Sequence, residues 1–270
     1  MSRIRGEEEW ARQCLAAALR GARVKRHDDG SSTGMFDLEI LYEDGRRGAV
    51  EVTAAADSES IELWNLLNGD DGRWIEPDLK GGWIVALYPS ARAKRIKVEL
   101  PRLLKQLERE GVREVRTLVG RSGLLEEAAA QLGISHLLQS GTEYPGSIYP
   151  TIELPDEKSG GVVAETGDAL AKWLSRWITE PEQEHNLRKL RAADASERHL
   201  FVILPGFADA SFQVTDLLMR DGAPLPTIPP TLPGEVSHVW CMRTWNSGEG
   251  MRWSPTEGWR RFDDKDSSRQ

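Results

Sequence analysis

Two acidic side chains, Asp37 and Glu51, carry the clearest chemical signal in the sequence. They lie in the segments FDLEI and AVEVT, whose alternation of apolar and polar residues predicts strands over Met35–Tyr42 and Ala49–Ala55. Like charges that face each other on adjacent strands repel, so something must compensate for them. The candidates are a neighbouring lysine or arginine, a raised pKa of one acid, or a bound cation that takes oxygen ligands.

The loop between the two segments sets their pairing. Glu43-Asp44-Gly45 is typical of a three-residue hairpin loop, with glycine in the third place where a left-handed backbone is needed. Such a loop places Leu38 opposite Val50 and Asp37 opposite Glu51. The two acids are therefore predicted to lie side by side on one face of the sheet.

A divalent metal ion accounts for this pair of acids most fully. Asp37, Glu51 and the backbone carbonyl of Val52 could form one open face of a magnesium site, which leaves positions for water and a phosphate oxygen. Thr53 follows on the same strand face as Glu51 and could position a water molecule. The alternative is a solvated sheet face on which arginines neutralise the acids.

The elements before the hairpin must position these residues. Apolar residues at helical spacing predict a helix over Glu7–Arg20, closed by Gly21, and a short strand over Ala22–His27 follows. A helical wheel places Glu7 near the middle of the apolar stripe. An acid on that inner face could supply a further metal ligand or position a water molecule.

This order of elements resembles the PD-(D/E)xK nuclease superfamily. The shared features are a helix with an inward glutamate, a short strand, the strand with FDLEI, a hairpin and the strand with AVEVT. The resemblance implies a restriction-endonuclease-like α/β fold, in which helices flank a mixed sheet. It also implies Mg²⁺ as the cofactor, with Mn²⁺ as a substitute, bound by Asp37 and Glu51. Glu7, or Glu8 as second choice, would match the ligand that the family often carries on its first helix.

The sequence departs from the family pattern at two positions. Thr53 stands where the motif has lysine, and Phe36 stands where proline is frequent. A threonine hydroxyl can hold a water molecule, but it cannot stabilise developing negative charge as an ammonium group does. Lys189, in the segment HNLRKLRAA, is the first candidate for the missing cation, and Lys25 is the second. If neither reaches the site, the protein is expected to be a catalytically silent relative.

Three functions follow from these residues. The first is magnesium-dependent hydrolysis of a phosphodiester bond in nucleic acid, with DNA expected rather than RNA. The second is a catalytically inactive nuclease-fold module that binds a protein or nucleic-acid partner. The third is a structural role, in which arginines such as Arg46 or Arg47 neutralise the acids.

The resemblance also organises the rest of the chain. Residues 1–56 and 165–205 are predicted to form the nuclease-like core, and residues 57–164 an inserted α/β region. Residues 206–262 are predicted to form a C-terminal extension with a tryptophan-rich β-hairpin, followed by a disordered tail over 263–270. A helix is expected over Ala93–Glu110, with a kink or break at Leu100-Pro101, and the composition of Pro155–Gly161 predicts a linker.

Composition limits the mode of binding and the setting of the protein. The 270 residues carry 35 basic and 43 acidic side chains, a net charge of −8, which excludes binding of nucleic acid or anionic membranes by bulk positive charge. The charged N-terminus and the absence of a long apolar run predict a cytoplasmic protein that does not enter membranes. A homodimer is compatible with cleavage of both strands of a duplex.

Two further features have both a functional and a structural interpretation. The helix over Ala93–Glu110 carries a basic face that could follow a phosphate backbone, but a solvated face with acidic partners is the simpler interpretation. The segment HDDG at His27–Gly30 could bind a metal ion, although a polar loop before a strand explains it as well.

Overall fold

The computed structural model describes residues 6–68, 74–117, 123–153, 165–206, 208–244 and 249–263. The chain divides into two units: residues 1–55 with 160–270 form the first, and residues 56–159 form the second. Each unit has its own sheet and its own apolar core. The chain is therefore a mixed α/β protein in which one unit is inserted into the sequence of the other.

Regular structure covers most of the described residues. The helices are α1 (Gly6–Ala18), α2 (Ser58–Asn68), α3 (Ala93–Glu110), α4 (Leu124–Gln131), α5 (Asp168–Trp177), α6 (Glu184–Ala192) and α7 (Phe212–Leu217), and a 3₁₀ turn spans Pro181–Gln183. The strands are β1 (Arg23–Arg26), β2 (Leu38–Leu41), β3 (Arg47–Ala54), β4 (Trp74–Ile75), β5 (Gly82–Leu87), β6 (Glu114–Arg116), β7 (Ile134–Gly141), β8 (Ser147–Ile152), β9 (Glu197–Leu204), β10 (His238–Arg243), β11 (Glu249–Ser254) and β12 (Gly258–Asp263).

The first unit is built on a seven-stranded mixed sheet with the order β1-β2-β3-β9-β10-β11-β12. Strand β9 runs parallel to both β3 and β10, and the other neighbours are antiparallel. Leu38 lies opposite Val50, so the predicted register of the hairpin is confirmed. Gly45 has a φ of +83°, the left-handed backbone that this loop requires.

Helices cover both faces of this sheet. On one face Leu15 of α1 packs with Val50 and Phe201, and on the other Leu174 of α5 and Leu190 of α6 pack with Leu200. Leu200 and Phe201 are consecutive in β9, and successive side chains of a strand point to opposite faces. The first unit therefore has three layers.

The C-terminal strands belong to the same sheet as the core. β10, β11 and β12 extend it beyond β9. The side chain of Trp240 is buried on the α1 face of this sheet, and that of Trp259 is buried on the other face. These two tryptophans thus stabilise the first unit instead of forming an exposed contact surface. Asp263 of β12 pairs with Glu249 of β11, so the first residue of the tail predicted to be disordered over 263–270 belongs to a strand. Residues 264–270 lie outside the described residues.

The second unit has a five-stranded sheet with the order β4-β8-β5-β7-β6, in which β5 and β8 are parallel. Helix α3 is continuous through Pro101, so of the two predicted alternatives, a kink or a break, the break is wrong. Leu100, Leu103 and Leu104 are buried around the proline, and this packing offsets the hydrogen bond that proline removes. The linker predicted over Pro155–Gly161 lies outside the described residues.

Candidate active site

Asp37 lies at the point where β2 separates from β3. Its backbone N–H still donates to the carbonyl of Val50 (3.0 Å), while its carboxylate Oδ2 accepts the N–H of Val52 (2.7 Å). The carboxylate thus accepts an N–H group of β3 that would otherwise bond to a backbone carbonyl of the neighbouring strand. This arrangement fixes a largely buried acid, 8% exposed in its side chain, beside the middle of a central strand.

Glu51 lies in β3, between β2 and β9, and its side chain is 3% exposed. It points to the sheet face that α5 and α6 cover, because its neighbour Val50 packs against α1 on the other face. Its Oε2 atom is buried and has no hydrogen-bond partner within the described part of the chain. A buried carboxylate with one unsatisfied oxygen is costly unless a cation or a proton satisfies it.

Lys189 of α6 reaches both acids. Its Nζ lies 2.6 Å from Oε1 of Glu51 and 3.9 Å from Oδ1 of Asp37, and its side chain is 14% exposed. Helix α6 brings the lysine there because Leu187 and Leu190 are buried on either side of it. The structure therefore places an ammonium group at the two acids, from a helix rather than from the motif position.

The charge state of Glu51 is unusual. Burial and the nearby charge of Asp37 raise the pKa of Glu51 to about 8, although the hydrogen bond from Lys189 opposes the change. Lys189 donates to Oε1, and Oε2 has no hydrogen-bond partner among the described residues. The chemistry of this oxygen suits a proton or a cation.

Thr53 belongs to a second set of contacts between β3 and α6. Asn186 Nδ2 donates to the hydroxyl oxygen of Thr53 (3.2 Å) and to Oε1 of Gln183 (3.0 Å). Because the hydroxyl accepts from Asn186, its own proton is directed elsewhere. Asn186 and Lys189 lie three residues apart on one face of α6. They contact Thr53 and Glu51, which lie two residues apart on one face of β3. Asn186 and Gln183 were not among the residues predicted from the sequence, although the i, i+3 spacing of Asn186 and Lys189 was an available signal.

The remaining predicted site residues lie elsewhere. The expectation that Glu7 points inward is wrong, because its side chain is exposed in the first turn of α1, where burial begins only at Ala11. Helix α1 also packs on the face of β3 opposite to Glu51, so the helical wheel described a stripe that serves the other side of the sheet.

Other cations near the hairpin have partners of their own. Lys25 pairs with Glu39 (2.8 Å), and Arg47 pairs with the same carboxylate. Arg46 pairs with Asp44 and with a glutamate of β9. The neutralising role that the sequence allowed for Arg46 or Arg47 at the two acids is thus taken by Lys189.

A second polar cluster lies at the start of β9 and β10, on the same sheet face as α1. Ligand atoms of Glu197, His199 and His238 lie within 4.8 Å of one another, so these three side chains could hold a metal ion. Nε2 of His199 is 3.2 Å, and Nε2 of His238 3.9 Å, from Oε2 of Glu197. The parallel register of β9 and β10, which places His238 beside His199, assembles this cluster. No local motif predicted it.

The hydrogen bonds of this cluster define the proton positions. Trp240 Nε1 lies 3.2 Å from Nδ1 of His199, and an indole N–H can only donate. His199 therefore carries its proton on Nε2 and donates it to Glu197. Burial lowers the pKa of His199, and the hydrogen bond from His199 lowers the pKa of Glu197 to about 2.

This protonation bears directly on metal binding. A histidine that carries its proton on Nε2 has no lone pair there for a metal ion. Glu197 is in addition already paired with Tyr42 (2.5 Å) and Arg46 (2.5 Å). The cluster is thus a satisfied hydrogen-bond network as it stands, and a metal ion would have to displace the Trp240 contact.

Comparisons of the chain with protein families, with curated proteins and with solved structures found no match. Among the described residues, no helix has both the length and the apolar character needed to cross a membrane.

Proposed function

We propose that the protein hydrolyses phosphodiester bonds in nucleic acid, with Mg²⁺ or Mn²⁺ as the cofactor and DNA as the preferred substrate. The observation that carries the proposal is the convergence of Asp37, Glu51 and Lys189 from three separate elements. Two buried carboxylates with one ammonium group between them form an unusual arrangement, which resembles the acidic pair and cation of the PD-(D/E)xK superfamily.

The donor set fits a hard divalent cation. The carboxylates of Asp37 and Glu51 would hold it, with the backbone carbonyl of Val52 as the predicted third ligand. The unpartnered Oε2 of Glu51 is the atom on which this assignment depends. A cation bound there would lower the pKa of a bound water molecule and polarise the phosphate.

The protein's own side chains supply the remaining roles. The ammonium group of Lys189 stabilises negative charge that develops on the phosphate oxygens. Thr53, held by Asn186, directs its hydroxyl proton toward an oxygen acceptor and thereby orients water or phosphate. A lysine supplied by α6 thus compensates for the threonine at the motif position.

Cleavage assays test this proposal. The full-length chain is incubated with supercoiled plasmid, single-stranded DNA and RNA, with Mg²⁺, with Mn²⁺ and with EDTA. We expect metal-dependent cleavage that is lost in Asp37→Asn and Glu51→Gln and kept in Asp44→Asn, which removes an exposed acid from the loop of the same hairpin. Cleavage that survives both site substitutions would overturn the proposal.

The bond between Lys189 and Glu51 favours a second candidate, a catalytically inactive module that binds nucleic acid or protein. An ammonium group 2.6 Å from Oε1 already neutralises one acid without any metal ion. Such a module would bind its partner equally well in Asp37→Asn and Glu51→Gln and would cleave nothing with any cation.

A further inference from the structure

A basic groove lies along the first edge of the seven-stranded sheet. It is an open depression of about 640 Å³ between α1 and the segment 22–26, which includes β1. Four of its lining residues are cationic, namely Arg12, Arg23, Lys25 and Arg26, and one is acidic, Glu9. Within a chain of net charge −8, this is a local concentration of positive charge.

The ion pairs inside the groove leave this positive character in place. Arg12 binds Glu9 (2.6 Å), so these two charges offset each other and the remaining lining cations are Arg23, Lys25 and Arg26. Lys25 pairs with Glu39, but its side chain remains 47% exposed. Arg23 is exposed and forms no ion pair with any described residue. The groove therefore presents cations to solvent.

The edge of the sheet provides a suitable track. β1 is the first strand of the sheet, so only one of its sides is paired, with β2. Four residues of strand extend over roughly 13 Å, about the rise of four nucleotides of a duplex strand. Exposed cations with this spacing can contact successive phosphates.

The strand side of the groove adjoins the candidate active site. Val24 packs with α1, so its neighbours Arg23 and Lys25 point to the opposite face of the sheet, the face on which Glu51 lies. Lys25 pairs with Glu39, two residues after Asp37 in the chain. The residue that follows β1, His27, donates its backbone N–H to the carbonyl of Asp37 (2.8 Å).

We infer that Arg23 and Lys25, the exposed cations of this groove, bind the phosphate backbone of a nucleic-acid strand and direct it toward Asp37 and Glu51. This inference rests on the proposed function, since it names the surface that holds the substrate of that site. It also explains how a chain with a net charge of −8 can bind a phosphate backbone, because the contact is made by a local group of cations.

A competing surface exists in the second unit. Helix α3 carries its own basic face, which includes Arg102 and Arg109. There Arg95 pairs with Glu99 (2.8 Å) and Lys105 with Asp78 (2.6 Å), as expected for a solvated face. This helix provides a matched control with the same change in charge.

The test measures binding without cleavage. Fluorescence anisotropy follows fluorescein-labelled 20-nucleotide DNA, single-stranded and duplex, and an RNA of the same sequence, with the full chain in EDTA at several salt concentrations. The variants are Arg23→Gln with Lys25→Gln and, as the control, Arg102→Gln with Arg109→Gln. Arg23→Gln alone is included because Arg23 has no ion pair with the described residues whose loss could unfold the chain.

The expected result is a Kd at least about tenfold higher for the groove variant at low salt, with the control within about twofold of the parent. The slope of log K against log salt should fall by about 1.5, which corresponds to two lost phosphate contacts. Arg23→Gln alone should show about half of that change in slope. Unchanged binding in both groove variants, or a larger loss in the α3 variant, would overturn the inference.

Failure of this inference can be told apart from failure of the proposed function. If the parent chain binds DNA through the groove but cleaves nothing in Mg²⁺ or Mn²⁺, the groove stands and hydrolysis fails. If cleavage at subsaturating DNA is equally fast in the groove variants, hydrolysis stands and the groove fails.

Discussion

The ammonium group of Lys189 lies 2.6 Å from Oε1 of Glu51, although 138 residues separate the two in the chain. Between them come the whole second unit and helix α5. The contact forms because β9 pairs in parallel with β3 and the preceding helix α6 packs across that strand. The position two residues after Glu51 holds threonine, and the positive charge beside Glu51 comes from a distant element.

Replacement of Lys189 tests whether this cation acts in catalysis. Lys189→Met keeps the length of the side chain and removes the charge, so we expect kcat to fall by about 10²–10³, as for the loss of one group that stabilises developing charge. Arg188→Met removes a cation from the neighbouring position of the same helix and should leave kcat unchanged. Equal effects of the two substitutions would show that Lys189 has no special role.

The raised pKa of Glu51 predicts how stability depends on pH. The pKa is about 8 in the folded protein and 4.5 in the unfolded chain, so the folded state holds an extra proton between these values. The free energy of unfolding should therefore fall as pH rises from 4.5 to about 8. The fall should be at most about 1.4 kcal/mol for each pH unit in this window.

Denaturation of the metal-free protein and of Glu51→Gln at several pH values measures this effect. The difference in the free energy of unfolding between the two proteins should be nearly constant below pH 4.5. It should favour the variant increasingly up to about pH 8 and should level off above that pH. Parallel pH profiles for the two proteins would contradict the raised pKa.

Metal binding should show the opposite pH dependence. A carboxylate binds a cation in its ionised form, so binding of Mn²⁺ must release the proton from Glu51. We expect the rise in Tm on addition of Mn²⁺ to be larger at about pH 8.5 than at about pH 6. Asp37→Asn and Glu51→Gln should abolish the rise at both pH values, and a rise that persists in both variants would place the metal ion elsewhere.

The hydrogen bond from Asn186 to Thr53 predicts coupled effects on activity. Thr53→Val removes the hydroxyl and Asn186→Leu removes the group that holds it, and each should lower kcat by about tenfold. Because both act through one hydroxyl, the double variant should be little worse than either single variant. Additive losses in a double-mutant cycle would show that the two residues act independently.

The network around His199 gives a prediction outside the candidate active site. Trp240→Phe leaves Nδ1 of the buried His199 without its donor and should destabilise the fold by about 1–3 kcal/mol. The same substitution frees His199 to move its proton to Nδ1, which makes Nε2 available to a metal ion. In a Glu51→Gln background, Zn²⁺ should raise Tm only when Trp240 is replaced; a similar rise with Trp240 present would show that the cluster is a metal site already.

The local part of the candidate site could be predicted from the sequence. Side-chain alternation and a three-residue loop ending in glycine determine the register of β2 and β3, and the register places Asp37 beside Glu51. The outcome depends only on neighbouring residues, since loop length fixes which positions pair. The helical wheel for α1 was also correct about the apolar stripe, but it could not show that burial begins only at Ala11, and Glu7 was misplaced for this reason. It also could not show which sheet face the stripe covers.

Tertiary structure decided the rest. Lys189 was one of two candidate lysines until the parallel pairing of β9 with β3 brought α6 over Glu51. The cluster of Glu197, His199 and His238 depends in the same way on the register of β9 with β10. Such contacts join residues far apart in the chain, and no local propensity encodes them. The sequence by itself determined that two acids meet on one hairpin, and only the packing of distant elements decided which cation lies between them.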